Sequence, residues 1–196
     1  MKREAAISLS VTALLLVLYF PKNMQALSAR SLADQSAAAS MVPAQAVLQT
    51  SIDARKAASG KEFQAKLTDK VHLKNGLELP KGTVLVGTLA TDKMQPSGTS
   101  RLALRFTRAE LKDGKAVPIK ATIVDISQPG GAESRDLTTW TPQTYQVDQI
   151  GALSGVDLHS NIGARDSGVF VSAKKHEMKL SAGSGLALAI EPQPGI

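Results

Sequence analysis

The chain has 196 residues, of which 43% are hydrophobic, 4% are aromatic and none is cysteine, and its formal net charge is +6. This length fits one domain with appendages, and the lack of cysteine excludes disulfides, thiolate metal sites and cysteine nucleophiles. The basic residues are scattered and not interleaved with aromatics, which argues against nucleic-acid binding. A mildly basic surface could still meet an anionic cell-wall polymer.

The first 28 residues have the three parts of a secretory signal peptide. Lys2 and Arg3 precede an uncharged run, residues 5–20, and "ALS" at 26–28 offers an A-x-A-like cleavage site. The alternative is an uncleaved inner-membrane anchor at 5–20, although such a helix would reach only about 24 Å against a core of ~30 Å. We therefore expect an exported protein, periplasmic or extracellular, that meets the membrane only if this segment is retained.

Two further regions follow the export segment. Residues 29–46 are rich in Ala and Ser and show little periodicity, which is typical of a flexible tether. Residues 47–192 contain strand and turn patterns and no helix pattern longer than about ten residues. We predict a single all-β domain there, a twisted, barrel-like antiparallel sheet.

The first strand pattern of this domain is "KEFQAKLTDKVHLK" at 61–74. One face is wholly polar and the other is apolar from Phe63 onward except at Asp69, which predicts a strand with one solvated face and a bend at Asp69. A three-residue loop ending at Gly76 would pair Leu73 with Leu77 and keep the apolar faces together. That loop needs a left-handed glycine, and "LKDG", which ends at Gly114, repeats the pattern.

The stretch "TVLVGTL", residues 83–89, is apolar on both faces. This predicts a central strand with Leu85 buried, and Gly87 is expected to let another backbone or a bulky side chain come close. A glycine-rich phosphate cradle is excluded because its motifs are absent and no helix follows.

The next two strand patterns run from 101 to 123 and change phase near Thr107. A bulge that sets Thr107 and Arg108 against Pro118 would restore the pairing and favours a coiled sheet. The expected pairs are Phe106 with Ile119, Leu104 with Ala121, and Leu102 with Ile123. Residues 128–168 are predicted to be loop-rich, and strands return at "GVFVSA", "HEMKL" and "GLALAI".

Residues that could carry chemistry are few. Asp157, His159 and Ser160 are near neighbours, whereas a catalytic triad is assembled across space by the fold. No two histidines share a metal-ligand spacing, no serine lies in a G-x-S-x-G motif, and no pair of carboxylates stands out for acid–base work. We therefore expect neither an enzyme, nor a metal, nor a cofactor. Trp140 and Tyr145 form the one plausible stacking pair; they could anchor a partner or simply pack within the domain.

The order of these elements resembles the periplasmic β-barrel domain of the scaffold subunit of type IV secretion and conjugation machines. It is more similar still to short, exported, stand-alone relatives of that domain. The shared features are "LPKGT-x-L-x-G", "SRL-x-L-x-F", "LKDGK", "SGVDLHS" and "KLSAGSGLALAI", over about residues 47–190. The resemblance implies a modified β-barrel with a structural role in the cell envelope, and no catalytic residue.

Two functions remain open from the sequence. The first is a non-enzymatic structural or interaction module of the envelope, whose partners are envelope proteins or a second copy of the chain. The alternative is an exported domain that binds polysaccharide or cell wall, suggested by the basic surface and by Trp140 and Tyr145.

Overall fold

The computed structural model describes residues 40–92, 99–130, 146–173 and 178–193, and its regular elements there are strands. These strands are β1 Val42–Leu48, β2 Ile52–Asp53, β3 Glu62–Leu67, β4 Val71–His72, β5 Glu78–Leu79, β6 Val84–Asp92, β7 Ser100–Glu110, β8 Ala116–Ser127, β9 Gln146–Leu153, β10 Val156–Asn161, β11 Gly168–Ser172, β12 Lys179–Leu180 and β13 Gly185–Pro192. The predicted all-β class is confirmed. The described ranges contain no helix that is long and apolar enough to cross a membrane.

Six strands close into an antiparallel barrel. They pair in the order β6-β3-β1-β13-β8-β7, and β7 pairs again with β6. Three more strands, β11, β10 and β9, continue outward from β7, and we call them the extension. Two short pairs, β12 with β2 and β4 with β5, complete the described sheets.

The long strand β7 shares one of its edges between two partners. Its C-terminal end pairs with β8, where Arg108 lies opposite Pro118, and its N-terminal end pairs with β11, where Leu104 lies opposite Gly168. The predicted pairs of Phe106, Leu104 and Leu102 with β8 are therefore wrong, because β11 and the preceding Ser167 occupy that edge. The predicted bulge does fall at Thr107, but Thr107 is the unpaired residue opposite β6, between the Val86 and Gly87 pairs.

Ser167 fills the gap where β8 separates from β7. Its N–H donates to the Leu104 carbonyl at 2.7 Å, and its own carbonyl accepts from the Ile123 N–H at 2.7 Å. Its hydroxyl accepts from the Phe106 N–H at 3.0 Å. One residue thus satisfies backbone groups on both diverging strands and closes the barrel wall.

The two predicted glycine hairpins are confirmed. The Leu73 N–H donates to the Leu77 carbonyl at 2.8 Å, and the Leu111 N–H donates to the Lys115 carbonyl at 2.9 Å. Gly76 and Gly114 each have a φ of 82°. Both loops therefore have three residues and end in a left-handed glycine.

The barrel core is aliphatic and contains one aromatic pair. Leu85 is fully buried, as predicted, and Phe63 packs edge-on against Phe106 with ring centroids 5.0 Å apart. A Cβ on Gly87 would lie 2.5 Å from the Arg105 carbonyl oxygen and 2.5 Å from the Phe63 ring. Gly87 thus admits both a backbone and a bulky side chain, as the sequence predicted.

Strand β1 overlaps the predicted tether. Residues 42–46 belong to this strand, and Ala44 and Ala46 are buried between β13 and β3. Alanine gives a weak hydrophobic signal, so the alternation along this strand is difficult to detect in the sequence. The rest of the tether up to residue 39, and the export segment 1–28, lie outside the described residues.

The region predicted to be loop-rich, 128–168, contains strands β9 and β10. That prediction is wrong over these strands. Most β9 side chains are exposed or half-buried, so the strand lacks an apolar face, and the inward side of β10 includes the polar Ser160.

Candidate interaction surface

The extension has one face toward the core and one toward solvent, because side chains alternate along its strands. On β10, Val156, Leu158 and Ser160 are buried, whereas His159 and Asn161 are exposed. Phe170 of β11 and Leu158 join the barrel core. The outward face is therefore the one available to other molecules.

A bulge in β9 sets the position of Ile150. The register passes from Leu158 opposite Gln149 to Val156 opposite Leu153, so three β9 residues, 150–152, lie opposite Asp157 alone. Gly151 has a φ of 67°, and its N–H donates to Asp157 Oδ1 at 2.7 Å. This carboxylate and this glycine hold the bulge in place.

The consequence of the bulge is an exposed apolar side chain. Ile150 is 89% exposed, and among the described residues it is the only large hydrophobic one that is exposed. Bulges commonly redirect a side chain near functional sites.

A polar cleft of about 340 Å³ lies on the same outward face. It gathers side chains from four strands and from the loop after β10. Its charged and titratable residues are Arg101, Asp148, His159, Arg165 and Asp166. The cleft is therefore lined by both acidic and basic side chains, and Val169 also lines it.

Hydrogen bonds between side chains organise this cleft. His159 Nδ1 lies 2.7 Å from Asp148 Oδ1, and Gln146 Nε2 donates to Asp148 Oδ2 at 2.6 Å. The hydrogen bond with His159, and then that from Gln146, hold the pKa of Asp148 below its ordinary value. Arg105 Nε donates to Asp166 Oδ1 at 3.1 Å, and this ion pair ties the loop after β10 to β7.

The structure does not bring the three neighbouring polar residues together as a catalytic group. Asp157 caps the bulge, and His159 is directed outward toward Asp148. Ser160 is directed inward and is 6% exposed. His159 and Ser160 thus lie on opposite faces of β10 and form no base–nucleophile pair. Nor do the described residues contain a group of three or more His, Asp or Glu side chains that could hold a metal.

The predicted partner anchors Trp140 and Tyr145 lie outside the described residues. Ile150, Asp148 and the arginines of the cleft, which the sequence did not single out, are exposed or line the cleft on the outward face. The available signal was weak: an isoleucine before a glycine within the polar stretch "VDQIGA".

Comparisons with known proteins include a likeness to a solved structure. No protein-family model and no curated protein matches the chain. The chain is similar to the structure of ComB10 of the Com type IV secretion system of Helicobacter pylori, with a TM-score of 0.40 and 10% identity. The match covers 80% of this chain and 90% of that one. A TM-score and an identity this low carry neither the family nor the function of ComB10 to this chain.

Proposed function

We propose that the chain is a non-enzymatic structural or interaction module of the cell envelope that binds a protein partner through the outward face of its extension. The observation that carries this proposal is the exposure of Ile150, which the bulge in β9 holds in solvent. Gly151 and Asp157 form that bulge, so the exposure of Ile150 is built into the strand.

The surroundings of Ile150 suit a protein interface. Burying an isoleucine side chain contributes roughly 1.5–3 kcal/mol, and interface anchors of this kind are ringed by polar groups that exclude water. Asp148, His159 and Arg165 provide such polar groups on the same face. Their mixed charges favour a partner with complementary charges of both signs.

The location and the partner class come from the sequence. The export pattern in residues 1–28 supports a periplasmic or extracellular location, and the resemblance to the secretion-scaffold barrel supports envelope proteins or a second copy as partners. The absence of an enzymatic role belongs to the same proposal. It is supported by the separation of His159 from Ser160 on β10.

In-cell photo-crosslinking of the full-length chain tests this proposal. A photoreactive amino acid replaces Ser154, in the exposed β9–β10 turn, and Lys115, in the exposed β7–β8 turn, serves as the control position. We expect a discrete crosslinked product at Ser154 in the envelope fraction and none at Lys115.

The matched variant is Ile150→Asp, which keeps the exposed bulge but removes its apolar anchor. The crosslinked product at Ser154 should disappear in this variant. Equal products at the two positions, or an undiminished product in Ile150→Asp, would show that the extension is not the binding face.

A further inference from the structure

A second cleft, of about 380 Å³, lies on the outer face of the barrel across strands β1, β13 and β8. Val47, Gly185 and Ser127 lie side by side in its floor, one from each strand. Gly185 contributes no side chain, and a Cβ there would lie 2.5 Å from Ser127 Oγ. The glycine therefore deepens the cleft down to the main chain.

Polar side chains surround this floor, and most of them form no hydrogen bond with one another. Gln45, Lys81, Ser127 and Gln128 line the cleft, and their side chains make no hydrogen bond or ion pair with the described part of the chain. Asp69 accepts a hydrogen bond from Thr68 through Oδ2 at 3.0 Å. An amide, an ammonium, a hydroxyl and a carboxylate oxygen are thus all available to a ligand.

These groups determine the ligand chemistry. The charges of Lys81 and Asp69 cancel, so the cleft has no net charge that would select an anion or a cation. Paired donors and acceptors suit hydroxyl groups, which both donate and accept. Ala46, Val47 and Leu186 supply apolar surface for C–H groups.

Two other ligand classes fit less well. No aromatic side chain lines the cleft among the described residues, so a nucleobase would find no stacking surface. A peptide that binds by strand addition needs a free strand edge. β1 and β13 are each paired on both sides, so a peptide could add only along β8, whose residue Ser127 pairs with β13 alone among the described strands.

We propose that this cleft is a binding site for a short neutral oligosaccharide. Its volume lies within the ~300–1,000 Å³ range of small-molecule sites. The described residues that line it belong to the barrel strands and their adjoining loops and not to the extension. It is therefore independent of the proposed protein interface.

Amide chemical shifts of the isotope-labelled protein, purified as the cell produces it, test the site. The probes are the N-acetylglucosamine trisaccharide and maltotriose, with inorganic phosphate and trialanine as the anionic and peptide comparisons. At least one trisaccharide should shift the amides of Val47, Gly185 and Ser127 saturably at millimolar concentration. Phosphate and trialanine should leave these amides unchanged.

Variants test where the sugar binds and whether that site is distinct from the proposed protein interface. Lys81→Ala and Gln128→Ala remove exposed side chains that make no hydrogen bond or ion pair with the described residues, so both variants should fold. Each should weaken sugar binding roughly tenfold. Ile150→Asp should bind the sugar as the parent does. The proposal is overturned if neither trisaccharide shifts these amides at ligand concentrations up to about 10 mM, or if the shifted amides lie elsewhere in the protein. It is also overturned if phosphate or trialanine produces the same shifts, or if both variants bind the sugar as the parent does.

Discussion

The six-stranded barrel and the three-stranded extension solve the problem of strand edges differently. The barrel pairs its strands in a ring and buries residues such as Leu85 completely. The extension ends at β9, whose outward side chains are polar or exposed and whose bulge redirects Ile150. The inward side chains of the extension, such as Leu158 and Phe170, add to the core of the ring, whereas its outward side chains, such as Ile150, are not required for stability.

The largest expected effect is that of Leu85→Ala in the barrel. Lost burial and the resulting cavity should lower the free energy of unfolding by ~2–5 kcal/mol. The matched change in the extension, Ile150→Ala, should stay within about 0.5 kcal/mol because the side chain is exposed. Urea unfolding of both variants measures the difference. A loss below about 1 kcal/mol for Leu85→Ala, or a comparable loss for Ile150→Ala, would end the contrast.

The junction between the two regions depends on Ser167. Ser167→Ala leaves the buried Phe106 N–H without its acceptor and should lower stability by ~1–3 kcal/mol. Ser160→Ala is the control, because the Ser160 hydroxyl is equally buried but lacks a partner in the described structure. It should be neutral or stabilising. Thermal unfolding compares the two serines, and faster hydrogen exchange at Phe106 should accompany the first variant only.

The hairpin glycines test whether register is fixed by the turns. Gly76→Val should destabilise by ~1–2 kcal/mol, because a β-branched residue tolerates a positive φ poorly. Gly76→Asn should cost less, since asparagine accepts this conformation. A Cβ at residue 76 meets no atom within 4 Å, so backbone conformation alone separates the two variants. Equal melting temperatures for Val and Asn would contradict the left-handed turn.

The smallest effect concerns the pH dependence of the extension. The pKa of Asp148 is lowered in the folded protein, so its hydrogen bonds stabilise the fold above the ordinary carboxyl pKa. That stability disappears as the pH falls through the lowered folded value. The melting temperature of the parent should therefore exceed that of Asp148→Asn near neutral pH, and the two should converge in acid.

His159 is the main cause of this pKa shift, so His159→Asn should remove most of the same difference. Parallel pH profiles for the parent and Asp148→Asn would show that the cross-strand pair contributes nothing to folding.

The sequence predicted the elements that obey strong local rules. Gly76 and Gly114 were recognisable because a buried face and a turn must agree, and Leu85 because its strand is apolar on both sides. The pairing of β7 could not be predicted, since Leu102 can face an apolar residue on either strand: Ile123 on β8, as predicted, or Phe170 on β11, as observed. Only the competition between distant strands decides it.

The candidate site was less accessible to sequence analysis for a related reason. Ile150 is exposed because the register shift in β9 leaves it unpaired and Asp157 stabilises the adjacent N–H. No periodic pattern records such a shift. The cleft on the barrel likewise depends on Val47, Gly185 and Ser127, which are far apart in the chain and meet only in the closed ring.

The position of strand β13 in the sheet determines when the barrel can close as the chain folds. It lies between β1 and β8, so the first barrel strand finds one of its partners only in the last. Val42 pairs with Ile190, and such distant pairing is slow to form. A chain that emerged from a membrane channel with its N-terminus first would hold β1 and β8 as exposed edges until Gly185–Pro192 arrived. A product that stopped before Gly185 could not close the ring, and it would present two aggregation-prone edges in place of one barrel.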